Sequence, residues 1–160
     1  MSIEKVRQYF QPLGREQDIL EFETSSATVE LAAQAVGCEP ARIAKTLSFM
    51  VDQKAVLIVA AGDAKVDNHK YKEQFHTKAR MLSLDEVTEM VGHSVGGVCP
   101  FGVKEGVSVY LDESLKRFDV VYPACGSASS AVKLTIPELE TASGYLGWID
   151  VCKGWGEERI

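Results

Sequence analysis

The run Ala55–Ala61 reads Ala-Val-Leu-Ile-Val-Ala-Ala and is apolar at every position. A strand with two apolar faces must be covered on both of them, so this segment belongs at the centre of a sheet. The preceding run, Lys45–Val51, is also strand-like, and Asp52-Gln53-Lys54 is short and polar enough to connect the two tightly. The chain is therefore organised around a central strand pair.

Helical signals lie to either side. Ser2–Phe10 carries Ile3, Val6 and Phe10 at helical spacing. Ile19–Glu23 alternates apolar and acidic residues, which suits a half-buried strand. Ser25–Thr28 offers several N-caps, Glu30 favours a first turn, and Gly37 stops a helix over Val29–Val36. Pro40 is placed to start a short helical turn over Ala41–Ala44. Asp67–Phe75 reads as a helix. Ser83 and Glu86 have capping-box spacing and open a helix that ends at Gly92. Val107–Leu111, Val120–Tyr122 and Val132–Ile136 read as strands, and Pro137 fits the first turn of a further helix. Strand pairs with scattered helices predict an α/β chain of α+β type with a mixed sheet.

The 160 residues are 46% hydrophobic, and one compact single domain over residues 1–160 is expected. A chain of this size buries roughly 70% of its extended surface. No apolar run approaches the ~20 residues of a membrane span. The first residues lack the pattern of a signal peptide, so a cytoplasmic location and no membrane partner are expected. Cys38, Cys99, Cys125 and Cys152 are scattered and read as free thiols. His69, His76 and His93 have no metal-ligand spacing to them, so neither a metal nor a cofactor is expected. The net charge of -6 argues against coating a long duplex. Arg42 to Arg80 nevertheless holds eight basic against four acidic residues. This stretch is either a solvated face or a landing patch for a nucleic-acid end.

Three features could carry chemistry. Lys45 shares a strand face with Leu47, Phe49 and Val51 and stands at the strand's end. It either leans an ammonium over an apolar pocket or snorkels to water. Val95-Gly96-Gly97-Val98-Cys99-Pro100-Phe101-Gly102 combines paired glycines with a stiffening proline. Such a loop can aim backbone donors at a carbonyl or an oxyanion, or simply turn. Tyr122–Ser130 is small and polar, fit for a pocket wall or a flexible turn. Cys99 with His93 as base is a conceivable nucleophile, but no acidic orienter for His93 is evident.

In their order these features resemble the YbaK/EbsC and prolyl-tRNA-synthetase editing-domain family. The resemblance runs from about Ser25 to Leu139. Its markers are Ala41-Arg42-Ile43-Ala44-Lys45-Thr46-Leu47, Val59–Asp63, Val95–Gly102, and Cys125-Gly126-Ser127 followed by Val132–Leu139. It implies a mixed sheet curled toward a barrel with helices around it. It also implies a hydrolase that acts in trans on mischarged aminoacyl-tRNA, releasing free amino acid, with the tRNA 3′ end and a synthetase as partners. Lys45 then matches the family's essential lysine, and Gly96 and Pro100 match the ends of its Gly-x-x-x-Pro motif. The amides of Gly97 and Val98 become the carbonyl donors. Thr46, Cys99, Gly126 and Ser127 become substrate contacts. Many members have serine at the position of Cys99, and some carry Ser or Asp where this chain has Ala124 and Ala131. These departures leave the edited amino acid open among Ala, Ser, Thr, Cys and Pro. A non-catalytic tRNA- or synthetase-binding module of the same fold is the alternative, and a thiol hydrolase using Cys99 is a third class.

Overall fold

Asp52 and Gln53, at φ 50° and 65°, reverse the chain between β2 (Ile43–Val51) and β3 (Lys54–Ala61). Two adjacent residues at positive φ match the right-handed twist of the flanking strands. The two strands pair antiparallel from Ala44↔Ala61 to Val51↔Lys54. The computed structural model describes residues 2–14, 16–23, 25–26, 28–93 and 98–155. Ala55 to Ala61 is buried at every position, with Leu57, Ile58 and Val59 wholly inaccessible. Each such side chain contributes about 1.5–3 kcal/mol by leaving water.

Around this pair β3 takes β5 (Ser108–Asp112) as a parallel neighbour, and β5 takes β9 (Gly147–Ile149). On the other side β2 takes β6 (Val120–Pro123) in parallel, and β6 takes β8 (Leu134–Thr135) antiparallel. The result is a mixed six-stranded sheet, β8-β6-β2-β3-β5-β9, curled into a half-barrel. Two small antiparallel pairs flank it. They join β1 (Ile19–Glu21) to β7 (Ser130–Val132) and β4 (Lys65–Val66) to β10 (Cys152–Lys153).

The helices are α1 (Ser2–Phe10), α2 (Val29–Val36), α3 (Asn68–Phe75), α4 (Leu84–Glu86) and α5 (Ile136–Ser143). Thr28 caps α2 through Leu31 N–H, and Gly37 ends it in the left-handed region. Asp67 caps α3. Ser83 and Glu86 form the expected capping box, after which the helix widens to π geometry over Val87–Val91 and stops at Gly92. A second capping box, Thr135 with Glu138, opens α5.

Three segments differ from the sequence reading. The helical turn at Pro40 covers only Pro40–Arg42, because Ile43 and Ala44 are drawn into β2 by pairing with Tyr122 and Pro123. Lys45 is thus the third residue of a strand and not its end. Val132–Ile136 is not one strand. Val132 closes β7 against β1, Leu134 and Thr135 pair with β6, and Ile136 begins α5.

The turn after β3 admits only glycine at position 62. A Cβ there would lie 2.1 Å from the Pro40 carbonyl oxygen and 2.8 Å from a Val29 methyl. Backbone, not a flexible side-chain tip, is the obstacle. Gly62→Ala is expected to cost about 1–3 kcal/mol, read as a lower urea midpoint at unchanged slope.

Candidate active site

The site arises from an interruption in the sheet. β6 pairs with β2 only at Ile43 and Ala44. Farther along the same edge, the extended segment around Met81 takes over. Met50 N–H donates to the Arg80 carbonyl at 2.8 Å, and Leu82 N–H donates to the Ser48 carbonyl at 3.1 Å. Between these stretches, Lys45–Leu47 has no strand neighbour on that edge among the described residues. Hydrogen-bonding direction alternates along a strand. The N–H and C=O of Thr46 therefore point to the same edge as those of Ser48 and Met50, and face the gap.

A cavity of about 290 Å³ occupies this place. Its floor is the β2 stretch Ile43 to Thr46, with Ser48. One wall is Ser26, Thr28, Val29 and Ala32, from the entry to α2. A second is Met81, Leu82, Leu84 and Val87. The third is Tyr122, Ala124, Ser130 and Ala131, and Val98 also borders the cavity. The volume lies at the small end of ligand sites, ~300–1,000 Å³. It suits a small acyl group better than a whole nucleotide.

The polar atoms are few and placed. Thr46 Oγ1 is buried and has no hydrogen-bond partner among the described residues. A buried hydroxyl left unpaired costs about 1–3 kcal/mol, and this oxygen has no accessible surface to offer the cavity. Ser26 donates to the Ala128 carbonyl at 3.3 Å. Ser127 Oγ bonds Ser130 Oγ at 2.8 Å and accepts from Ser129 N–H at 3.3 Å. Ser127 thus reaches the cavity only through Ser130. Gly126, at φ 91°, supplies the left-handed turn before it.

The Lys45 side chain is half-buried, and its ammonium is held by two backbone carbonyls. It donates to Gly62 O at 3.4 Å and, more closely, to Ala64 O. Burial holds its pKa below the ordinary lysine value. Lys45, Thr46 and Val98 all border the one cavity. Gly96 and Gly97 lie outside the described residues. Cys99 and Pro100 are buried and are not among the residues bordering the cavity.

Cys99 is wholly inaccessible, with its sulfur 3.5 Å from His93 Nε2 and 3.7 Å from the Phe101 carbonyl oxygen. His93 Nε2 lies 2.7 Å from the same oxygen. A nitrogen that donates to a carbonyl cannot also accept the thiol proton. Burial pushes the Cys99 thiol up to about 12. It also lowers the pKa of His93, whose Nδ1 has no partner among the described residues. The pair is built as neutral core, not as an activated nucleophile. The other three cysteines are likewise free.

The basic middle third divides in the fold. Arg42 is spent on Glu39, Lys70 on Asp150 and Arg80 on Glu86. Lys72 and Lys78 instead border a shallow exposed hollow with Asn68, His69 and Ala79. His69 pairs with Glu73 at 2.8 Å beside it. From Lys78 the chain runs three residues to Met81 at the cavity wall, about 10 Å if extended.

Of the walls, sequence reasoning found Tyr122–Ser130, of which Tyr122, Ala124 and Ser130 border the cavity. It missed Val29 and Met81, which carried no chemical signal. The parity of Ala44, Thr46 and Ser48 was legible, but which strand edge lacks a neighbour was not.

Comparison with known proteins places these features. Residues 23–142 match the aminoacyl-tRNA editing domain family. The chain is 56% identical over 156 residues to the uncharacterized protein YwhH of Bacillus subtilis (strain 168), covering 97% of this chain and 99% of that one. It is 31% identical over 101 residues to a proline–tRNA ligase of Geobacillus sp. (strain WCH70), covering 62% of this chain but 18% of the ligase. The chain thus corresponds to about a sixth of that enzyme. Among solved structures, a proposed trans-editing enzyme for prolyl-tRNA synthetase superimposes with a TM-score of 0.85 at 30% identity, covering 96% of this chain and 98% of the other. No described helix is long and apolar enough to cross a membrane. The chain belongs to the aminoacyl-tRNA editing domain family.

Proposed function

We propose that this protein is a trans-editing deacylase that hydrolyses the ester between a wrongly attached amino acid and the 3′-terminal ribose of tRNA. The observation that carries this reading is the convergence of Lys45 and Thr46 of β2 with Val98, from a distant segment, on one small cavity. A water oxygen bonds to the ester carbonyl carbon, the bond from that carbon to the ribose oxygen breaks, and the ribose oxygen leaves with a proton. The amides of Gly97 and Val98, within the Gly96–Pro100 loop, donate to the carbonyl oxygen. An aminoacyl ester is already activated, so orientation and a fixed oxyanion site suffice without a protein nucleophile.

In this reading the aminoacyl group lies in the gap along β2. The Thr46 carbonyl faces its amino end, and the walls fit a small side chain. Gly126 and Ser127 set the wall through Ser130. Lys45, which borders the cavity, supplies a positive charge anchored on the turn after β3. The tRNA backbone leaves across Lys78 and Lys72. The site of action is the cytoplasm, alongside a prolyl-tRNA synthetase.

The test is release of free amino acid from tRNAs charged with Ala, Ser, Thr, Cys or Pro. Turnover of at least one is expected. Binding to all without release would identify a non-catalytic module. Lys45→Ala should lower single-turnover hydrolysis by about 10²–10³, the scale of losing one fixed electrostatic contact, while the folded circular-dichroism spectrum persists. Cys99→Ser should leave the rate within about threefold, because a buried thiol this weakly acidic offers no thiolate at neutral pH. A thousandfold loss with binding intact would favour a cysteine nucleophile. Lys72→Ala and Lys78→Ala should raise KM with kcat unchanged. Each should also flatten the salt dependence of binding by about 0.7 in the log–log slope, as for one single-strand phosphate contact.

A further inference from the structure

We infer that Asp63 and Arg117 are positioning residues for Lys45: their ion pair clamps the turn whose two carbonyls aim the lysine ammonium. The inference rests on the assignment of Lys45 to the deacylation site. The geometry is local and closed. Lys45 donates to the carbonyls of Gly62 and Ala64, and Asp63 is the residue between them. The Asp63 carboxylate meets the Arg117 guanidinium through two contacts, Nη1 to Oδ2 at 3.0 Å and Nη2 to Oδ1 at 2.6 Å. Paired parallel bonds of this kind fix direction as well as distance.

Arg117 is itself immobilised. Its Nε donates to the Ser114 carbonyl at 3.0 Å, and its guanidinium lies 4.8 Å from the Phe118 ring centroid and 5.0 Å from that of Trp155. Its side chain is only 16% exposed. The short 3₁₀ helix Glu113–Arg117 also grips the start of the same turn, where Ser114 Oγ accepts from Ala61 N–H at 3.1 Å. Within the turn, Ala64 N–H donates to the Ala61 carbonyl at 3.0 Å. Pro40 abuts the position where a Gly62 side chain would be. A turn so constrained cannot follow the lysine, so the lysine must follow the turn.

Arg117→Lys keeps the charge but removes the fork, and Asp63→Asn keeps the shape but removes the charge. A misplacement of about 1 Å can cost ~10² in rate. Each variant should therefore lose about ten- to a hundredfold in kcat with KM nearly constant. In a Lys45→Ala background neither should lower the rate further, beyond about twofold, because residues acting through one group are non-additive. A second readout needs no activity. In ¹⁵N NMR of the lysine side chains, Arg117→Lys should speed hydrogen exchange of the Lys45 ammonium at least about fivefold, since exchange reports the held hydrogen bonds. Rate losses that multiply with Lys45→Ala, together with unchanged ammonium exchange, overturn the inference and leave the pair as a structural brace. Faster exchange with no deacylation by any variant or by the wild type upholds the clamp and removes the functional reading instead.

Discussion

The antiparallel ladder between β2 and β3 is the constraint from which the rest follows. It covers one edge of β3, whose two faces are buried in the core, and fixes the direction of every residue on β2. One side of β2 is then fully committed to β3. The other is shared between β6 and the segment around Met81, and the two do not meet. Among the described residues that edge is interrupted at Lys45–Leu47, and the cavity lies there. Its floor is rigid because the opposite edge has no such interruption.

The two faces of β2 have divided the labour. Phe49 packs on Tyr71 with ring centroids 5.0 Å apart, and Tyr71 on Phe75 at 4.8 Å, so that face is core. On this same face Lys45 reaches the backbone carbonyls of the turn after β3. Ala44, Thr46 and Ser48 turn the other way, small enough to leave space and polar enough to use it. Alternation along a single strand thus puts a fixed cation and a receptive backbone within neighbouring residues.

Much of this was legible in the sequence where local physics decides. Ala55–Ala61 had to be central, Gly37 and Gly92 had to end helices, and Ser83 with Glu86 had to start one. It was illegible where a distant partner decides. Nothing local says that Ile43 leaves the Pro40 turn to join β6, that Lys133 divides two strands bound to different neighbours, or that two-residue strands form at Lys65 and Cys152. The site divides in the same way. Lys45 and the Gly96–Pro100 segment stood out by residue type, whereas Thr46 matters through its backbone direction and Arg117 through a pairing 54 residues away.

The unpaired edge at Thr46 has a consequence for how such a protein can change. Main-chain N–H and C=O groups are the same for all amino acids but proline, which lacks the N–H. Grip through them therefore survives almost any replacement at position 46. The surrounding walls, by contrast, are ordinary side chains from four separate segments, each replaceable without unpicking the sheet. A lineage could re-tailor the cavity for a larger or more polar guest by drift at Val29, Met81 or Ala131 while the handhold stayed constant. In the proposed deacylation site, a grip through the main chain with adjustable walls makes selectivity the evolvable part and the act of holding the inherited part.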